Sequence, residues 1–143
     1  MSDLSDAVAR IQDLAQSLTG ITIKSAPDYP IENVDPLPMV ISYVGSGNFH
    51  AVNATTLKNF PVIHTEFHFS RVNLKQMAQQ MTAVAFEFPK LLAGDPTLNS
   101  KVTTIVMDVG SPVPYESRPF EWGSVVTQMM LFAIPVKLLQ APT

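Results

Sequence analysis

The sequence contains no cysteine and few charged side chains among its 143 residues. The lack of cysteine excludes disulfide bonds, thiolate metal sites and a cysteine nucleophile, and it is typical of proteins made in a reducing cytoplasm. Charged residues make up 15%, whereas hydrophobic residues reach 46%; typical soluble domains contain about 25% charged residues. Because a charge-poor surface is often reserved for another protein chain, we expect extensive contacts between subunits.

The sequence also lacks a long apolar run. The most apolar stretch, Met129 to Val136, stops well short of the roughly 18 to 20 residues that cross a membrane. The first residues, which include Asp3 and Asp6, are polar and acidic, unlike the basic start of a signal peptide. We therefore expect no membrane partner and no secretion.

Clusters of basic residues are missing as well. The net charge is -3, with seven acids and three bases in residues 1–70 and five acids and six bases in residues 71–143. A protein that grips nucleic acid needs clustered lysine or arginine to displace counterions from phosphates. The composition therefore disfavours direct binding of DNA or RNA.

An apolar stripe with helical spacing predicts a first helix near the N-terminus. Its members recur every three or four residues, and they are Leu4, Ala7, Val8, Ile11, Leu14, Ala15 and Leu18. Ser2 is the expected N-cap, Asp3 and Asp6 suit the positive end of the helix dipole, and Gly20 is the expected residue after the C-cap.

A second helix is predicted in the middle of the chain. Asn73 and Gln76 resemble a capping box, and the apolar stripe that follows comprises Leu74, Met77, Ala78, Met81, Val84, Ala85 and Phe88. We expect Pro89 to end or kink this helix, with Lys90 to Ala93 offering one more turn.

Five segments have strand composition or alternation, and they are Ile21 to Lys24, Met39 to Val44, Pro61 to Ser70, Val102 to Val109 and Trp122 to about Leu138. The second should end in a flexible turn at Gly45-Ser46-Gly47, with Phe49 to Val52 as its candidate continuation. The last is long enough to require a bulge near Gly123 or a break at Pro135.

Prolines divide these segments. Pro27, Pro30, Pro36 and Pro38 predict an extended segment, which we call the proline-rich arm (residues 27–38), and a proline loop is expected over Ser111 to Pro119. The expected fold class is α+β, a single domain over residues 1–143 in the order α-β-β-β-α-β-β. One mixed or antiparallel sheet would have both helices on its apolar face, because each element has one apolar side to bury.

The segment His64-Thr65-Glu66-Phe67-His68 is the most tempting candidate for chemistry. Pro61 to Ser70 alternates, with Ile63, Thr65, Phe67 and Phe69 on a core face and Val62, His64, Glu66 and His68 on a polar face. The two histidines would lie about 13 Å apart along such a strand, too far for one metal ion. The H-E-x-x-H helix of metalloproteases is absent. We interpret these residues as an exposed or interfacial polar face without a metal.

Other catalytic motifs are weaker still. Gly45-Ser46-Gly47 lacks the lysine and the following helix of a phosphate loop, and Ser46 does not lie in a G-x-S-x-G elbow. Trp122 is expected to be a core or interface anchor. We therefore predict no catalytic residue, no cofactor and no enzyme activity.

Several short strings resemble the tail terminator, or tail completion, proteins of long-tailed bacteriophages. They run in order along most of the chain, and they are Ala26-Pro27-Asp28-Tyr29-Pro30, Leu37-Pro38-Met39-Val40-Ile41-Ser42-Tyr43, Gly45-Ser46-Gly47, Ala93-Gly94-Asp95-Pro96-Thr97-Leu98 and Phe120-Glu121-Trp122-Gly123. A glycine, Gly94, interrupts the A-D-P-T-L run of that family.

The resemblance implies a structural virion protein assembled in the host cytoplasm. Such a protein forms a homo-oligomeric ring, usually a hexamer, that caps the tail tube, ends its polymerisation and joins the tail to the head connector, while DNA only passes through the lumen. By analogy, the expected subunit or tube contacts are Pro27, Tyr29, Pro30, Pro36, Pro38, Gly45, Gly47, Phe49, Pro112, Tyr115, Phe120 and Trp122.

Two alternatives stay open at this stage. The chain could be another head–tail connector or neck component of the same kind of particle. It could instead be a small ligand-binding or enzymatic α+β domain with a pocket beside His64, Glu66 and His68.

Overall fold

The protein is described by a computed structural model that covers residues 4–28, 31 and 34–140. The elements are α1 (Leu4–Gln16), β1 (Met39–Asn53), β2 (Thr56–Phe69), α2 (Leu74–Ala93), β3 (Thr104–Ile105), β4 (Tyr115–Trp122) and β5 (Val125–Gln140). All strand pairs between these elements are antiparallel, in the order β1-β2-β5, and both β3 and β4 pair with the free side of β5. The α+β class is confirmed, but the order is α-β-β-α-β-β-β.

Both helices contribute to one core on the same face of the sheet, which we call the inner face. At its centre Phe67 of β2 packs edge-on against Phe88 of α2 and Phe132 of β5, with ring centroids 5.1 and 5.8 Å apart. The apolar side of α1 joins this core through Ala7, Ile11 and other residues of the predicted stripe. The predicted alternation of β2 is confirmed on this side, because Ile63, Thr65, Phe67 and Phe69 are all buried.

The predicted strand at Ile21 to Lys24 is wrong. The segment is extended and makes two backbone hydrogen bonds beside the start of β1, from Lys24 N to Pro38 O and from Val40 N to Ser25 O. Only the Ser25–Met39 pair forms a bridge. Among the described residues, these hydrogen bonds do not continue along Ile21 to Lys24, so the segment is extended but is not a strand.

The glycine-rich segment of β1 is not the expected flexible turn. Strand β1 continues through it to Asn53, with an irregularity between Val44 and Ser46 in the register with β2. Gly45 therefore occupies a β-bulge, a position where an extra residue is accommodated without ending the strand.

The helix ends differ partly from the prediction. Asn73 is the N-cap of α2 as predicted, since its side chain accepts a hydrogen bond from Gln76 N. Pro89 does not end α2, which continues to Ala93. Helix α1 ends at Gln16, so Gly20 is not its C-cap glycine; the predicted caps at Ser2 and Asp3 lie outside the described residues.

The C-terminal strands also differ from the prediction. Of Val102 to Val109, only Thr104–Ile105 is a strand, and the expected proline loop yields β4 from Tyr115 onward, which includes Pro119. Gly123, with φ of +66°, lies in the two-residue turn between Trp122 and Val125, where a left-handed conformation is required. Strand β5 passes through Pro135 without a break.

Within the described part of the chain, neither helix combines the length and the apolar character needed to cross a membrane.

Candidate functional site

The β1–β2 hairpin extends far beyond the helices that cover its base. The first four residues of β1 are buried, whereas all ten residues from Val44 to Asn53 are exposed. We call residues 46–59 the hairpin tip; apart from the imidazole of His50, its only ionisable side chain is Lys58. Such a charge-poor, uncovered segment is unusual on the surface of a monomer.

Apolar side chains emerge from this charge-poor segment. Phe49 is 70% exposed and Val52 is 50% exposed, and Val44, which precedes the tip, is 45% exposed. The strand register puts Val44 opposite Ile63 and Phe49 opposite Asn59, so both side chains extend the inner face beyond the cover of the helices. The sheet face that forms the core at the base is therefore unprotected at the tip.

Two glycines shape the base of the hairpin tip. A Cβ atom on Gly45 would lie 2.5 Å from the ring of His64, and one on Gly47 would lie 2.8 Å from the Pro61 backbone. Both distances are too short for a real side chain, so glycine allows the two strands to approach closely at these positions. The two glycines predicted as contact residues therefore have a structural reason to be glycine.

A groove lies between α1 and β1, close to the base of the hairpin. Its volume is about 640 Å³, and its apolar walls come from Leu4, Val8, Ala9, Pro27 and Val44. Among the described residues of its lining, Asp28 is the only charged one. We call this cavity the α1–β1 groove.

A second, wider cleft of about 980 Å³ lies between residues 19–24, residues 35–38 and the start of α2. Its lining is mainly polar and includes Gln76, Gln79 and Gln80, and Pro38 of the proline-rich arm is part of its wall. The cleft is thus a polar surface bordered by the arm.

The candidate histidines on the opposite, outer face of the sheet are not an exposed polar face. The side chain of His68 is fully buried, and the rings of Phe120 and Trp122 from β4 pack against it at centroid distances of 5.3 and 5.1 Å. The prediction of an exposed face is wrong for His68, because β4 supplies an aromatic cover that the sequence pattern of β2 does not reveal.

A continuous chain of hydrogen bonds runs through His68. The indole N–H of Trp122 donates to Thr127 Oγ1 at 3.1 Å, and Thr127 Oγ1 lies 2.9 Å from His68 Nδ1. His68 Nε2 lies 2.9 Å from Glu66 Oε1, and the Tyr43 hydroxyl donates to the other oxygen of Glu66. Because a carboxylate can only accept, Nε2 of His68 is the protonated nitrogen in this chain.

The ionised form of Glu66 fits this arrangement. Burial alone would raise the pKa of Glu66, but hydrogen bonds from His68 and Tyr43 hold that pKa below its usual value. Burial raises the pKa of the Tyr43 hydroxyl, and its hydrogen bond to Glu66 raises it further. Tyr43 therefore keeps its proton and is a hydrogen-bond donor to the ionised Glu66.

This hydrogen-bonded chain fastens four strands together. Tyr43 belongs to β1, Glu66 and His68 to β2, Thr127 to β5 and Trp122 to β4. His64 does not take part in the hydrogen bonds; its ring packs edge-on against Tyr43 at 5.6 Å. Among the described residues, no group of three or more histidines, cysteines or acids is placed to hold a metal ion.

The predicted contact residues fall into separate places. Gly45, Gly47 and Phe49 lie on the hairpin, and Pro27 lines the α1–β1 groove. Tyr115, Phe120 and Trp122 lie on β4, and Pro112 lies in the loop before it. Pro36 and Pro38 lie in the bend that leads into β1, whereas Tyr29 and Pro30 lie outside the described residues.

The structure thus brings Phe120 and Trp122 together over His68, and Tyr115 stacks on Phe132 at 4.9 Å. The rings of Phe120 and Trp122 pack within the chain, whereas Tyr115 stays 52% exposed and the ring of Phe49 is free of the core. Sequence reasoning placed Thr65 on the core face but missed the buried hydrogen bonds that join it to Ser42 and Gln12 under α1. The available signal was the position of Gln12 between the apolar residues Ile11 and Leu14.

Comparison with known proteins adds no family assignment, since no family model and no curated protein matches the chain.

Proposed function

We propose that this chain is a tail terminator of a tailed bacteriophage. In this role, copies of the chain form a ring, of six subunits by the resemblance, that caps the tail tube, stops its polymerisation and joins the tail to the head connector. The observation that carries the proposal is the hairpin tip, an uncovered, charge-poor segment that exposes Phe49 and Val52. Aromatic residues in a surface depleted of charge are typical of contacts between protein chains.

The charge of the chain also favours a ring through which DNA only passes. The net charge is -3 and no basic cluster occurs in the sequence, so counterion release would contribute little affinity for the phosphates. A lumen of this composition would let DNA slide without being held. We propose a structural role, because His68 is buried and Glu66, with its side chain 12% exposed, is hydrogen-bonded to both His68 and Tyr43.

The ring is tested by native mass spectrometry and negative-stain imaging of the purified chain. We expect a closed ring, with a mass of six chains. The variant Phe49→Asp should lower the mass to that of one chain. The control variant is Phe86→Asp, because Phe86 on α2 is 67% exposed, close to the value for Phe49, and lies away from the hairpin.

The capping role is tested on growing tail tubes of a long-tailed phage. Adding the wild-type chain should stop elongation and leave a ring on one end of each tube in electron micrographs, whereas Phe49→Asp should leave elongation unchanged. Binding to filled heads without any binding to tubes would indicate another connector component. A wild-type chain that stays monomeric at high concentration and ignores both partners would overturn the proposal.

A further inference from the structure

The hairpin tip and the α1–β1 groove are complementary surfaces that one chain cannot bring together. Val44 lines the groove, and Phe49 lies five residues further along the same strand, which is about 16 Å at the rise of a β-strand. Strand β1 is paired with β2 along this whole stretch, so the tip cannot fold back. The tip therefore cannot reach the groove of its own chain, and only the tip of a second copy can enter it.

The chemistry of the two surfaces matches. The tip exposes a phenyl ring and a valine side chain, and the groove offers aliphatic walls from Leu4, Val8 and Ala9 in about 640 Å³. The tip contains no acidic side chain, so nothing in it is repelled by Asp28, the one charged side chain among the described residues of the groove lining. Burial of an aromatic ring between such walls is favourable because apolar surface leaves water.

We propose that the α1–β1 groove receives the hairpin tip of a neighbouring copy, with the ring of Phe49 seated between α1 and β1. The contact joins two different surfaces, the tip of one copy and the groove of the next, so it is heterologous and can repeat head-to-tail. Head-to-tail contacts close into rings when the rotation between copies divides a full turn. The inference rests on the proposed ring and names the surfaces that join its subunits.

Two single variants separate the two halves of the contact. Phe49→Asp replaces the apolar ring of the tip by a charge and leaves the groove unchanged. Ala9→Trp fills the groove and leaves the tip unchanged. Both positions are exposed in the chain, so each variant should keep the cooperative thermal unfolding of the wild type. Asp28→Arg, which places a long charged side chain at the described lining of the groove, is a second groove variant if Ala9→Trp unfolds.

Native mass spectrometry of each variant and of their equimolar mixture, at about 100 μM, is the test. We expect each variant alone to be monomeric and the mixture to form dimers of one Phe49→Asp chain and one Ala9→Trp chain. Larger species should be lost, because only one intact tip and one intact groove can meet. Phe86→Asp should assemble as the wild type does.

Several outcomes would overturn the inference. Rings formed by Phe49→Asp alone would show that other surfaces close the ring, and the proposed function would survive. Two monomeric variants whose mixture forms no dimer would also exclude the pairing of tip with groove. A wild-type chain that is itself monomeric removes the ring and the contact together, and tube capping then decides the proposed function separately.

Discussion

The two ends of strand β1 have opposite environments although they belong to one continuous strand. At the base, residues 39–42 are buried under α1, and at the tip, residues 46–53 are exposed. The difference follows from length: fifteen strand residues span about 50 Å, whereas the thirteen residues of α1 span about 20 Å. The strand extends beyond the helix, so its base is buried and stabilises the fold, whereas its tip is exposed.

The largest expected effect tests the base. Phe67→Ala should lower the free energy of unfolding by about 3 to 5 kcal/mol, because it leaves a cavity between Phe88 and Phe132. Urea unfolding followed by circular dichroism measures the loss. The matched control is Phe49→Ala at the tip, which should cost less than about 0.5 kcal/mol. Equal losses for the two phenylalanines would contradict the division into base and tip.

The next effect tests the polar group buried at the base. Gln12 donates to Val40 O at 2.8 Å and to Pro27 O at 3.2 Å, and it accepts from Ser42. Gln12→Leu removes these three hydrogen bonds and leaves Ser42 Oγ with Thr65 Oγ1 as its side-chain partner, which should cost about 1 to 3 kcal/mol of unfolding free energy. Gln16→Leu, on an exposed position one turn later, is the control for the same urea titration and should be nearly neutral.

A third experiment tests the boundary between base and tip. Gly47→Ala should cost about 1 to 3 kcal/mol, because the added methyl group meets the backbone of Pro61 and Phe60. Gly45→Ala should cost less, since it meets the side-chain ring of His64, which can move. Gly110→Ala is the control, with its nearest neighbour at 3.5 Å. If Gly45→Ala lowers the melting temperature more than Gly47→Ala does, the close approach of the Pro61 backbone is not what limits residue 47.

A smaller effect concerns pH and the outer-face hydrogen bonds of Glu66. Because the folded pKa of Glu66 lies below its ordinary value of 4.5, the carboxylate stabilises the fold above that value, and this stabilisation is lost as the pH falls through the folded pKa. The urea midpoint of the wild type should therefore fall below about pH 4.5. Glu66→Gln should show a smaller decrease between pH 5 and pH 3, and an identical decrease would exclude Glu66 as a contributor.

The smallest expected effect belongs to the tip. Phe49→Asp should change the free energy of unfolding by less than about 0.5 kcal/mol, because the ring is 70% exposed and its contacts in the monomer are few. Calorimetry at a concentration where the chain is monomeric measures this value. A loss above about 2 kcal/mol would mean that the tip stabilises the monomer, and the comparison between the two ends would fail.

Patterns of neighbouring residues predicted the parts of the fold that depend on helical spacing and capping. The stripe from Leu4 to Leu18 predicts the buried side of α1, and Asn73 caps α2 as its sequence indicates. The sequence left open whether α2 ends at Pro89 or gains a further turn from Lys90 to Ala93, and burial of Phe88 and Leu92 stabilises the longer helix on both sides of the proline. The strand through Gly45 to Gly47 depends in the same way on its partner β2.

For the candidate sites, sequence reasoning identified residues but not their environments. Phe49, Gly45 and Gly47 were named as contact residues, and they lie on the exposed hairpin or at its base. Phe120 and Trp122 were named for the same role, yet they cover His68. A residue's type does not tell whether its cover comes from its own chain or from another one.

By itself the sequence determined the two helices, the inner-face alternation of β2 and the low charge of the surface, since these depend on residue types at short spacing. The tertiary structure decided which face of each strand is covered and how far the cover reaches. It buried His68 by pairing β4 with β5 and exposed Phe49 by ending α1 short of the hairpin tip. The physical reason is that burial depends on neighbours distant in sequence, whereas periodicity and capping depend on adjacent residues.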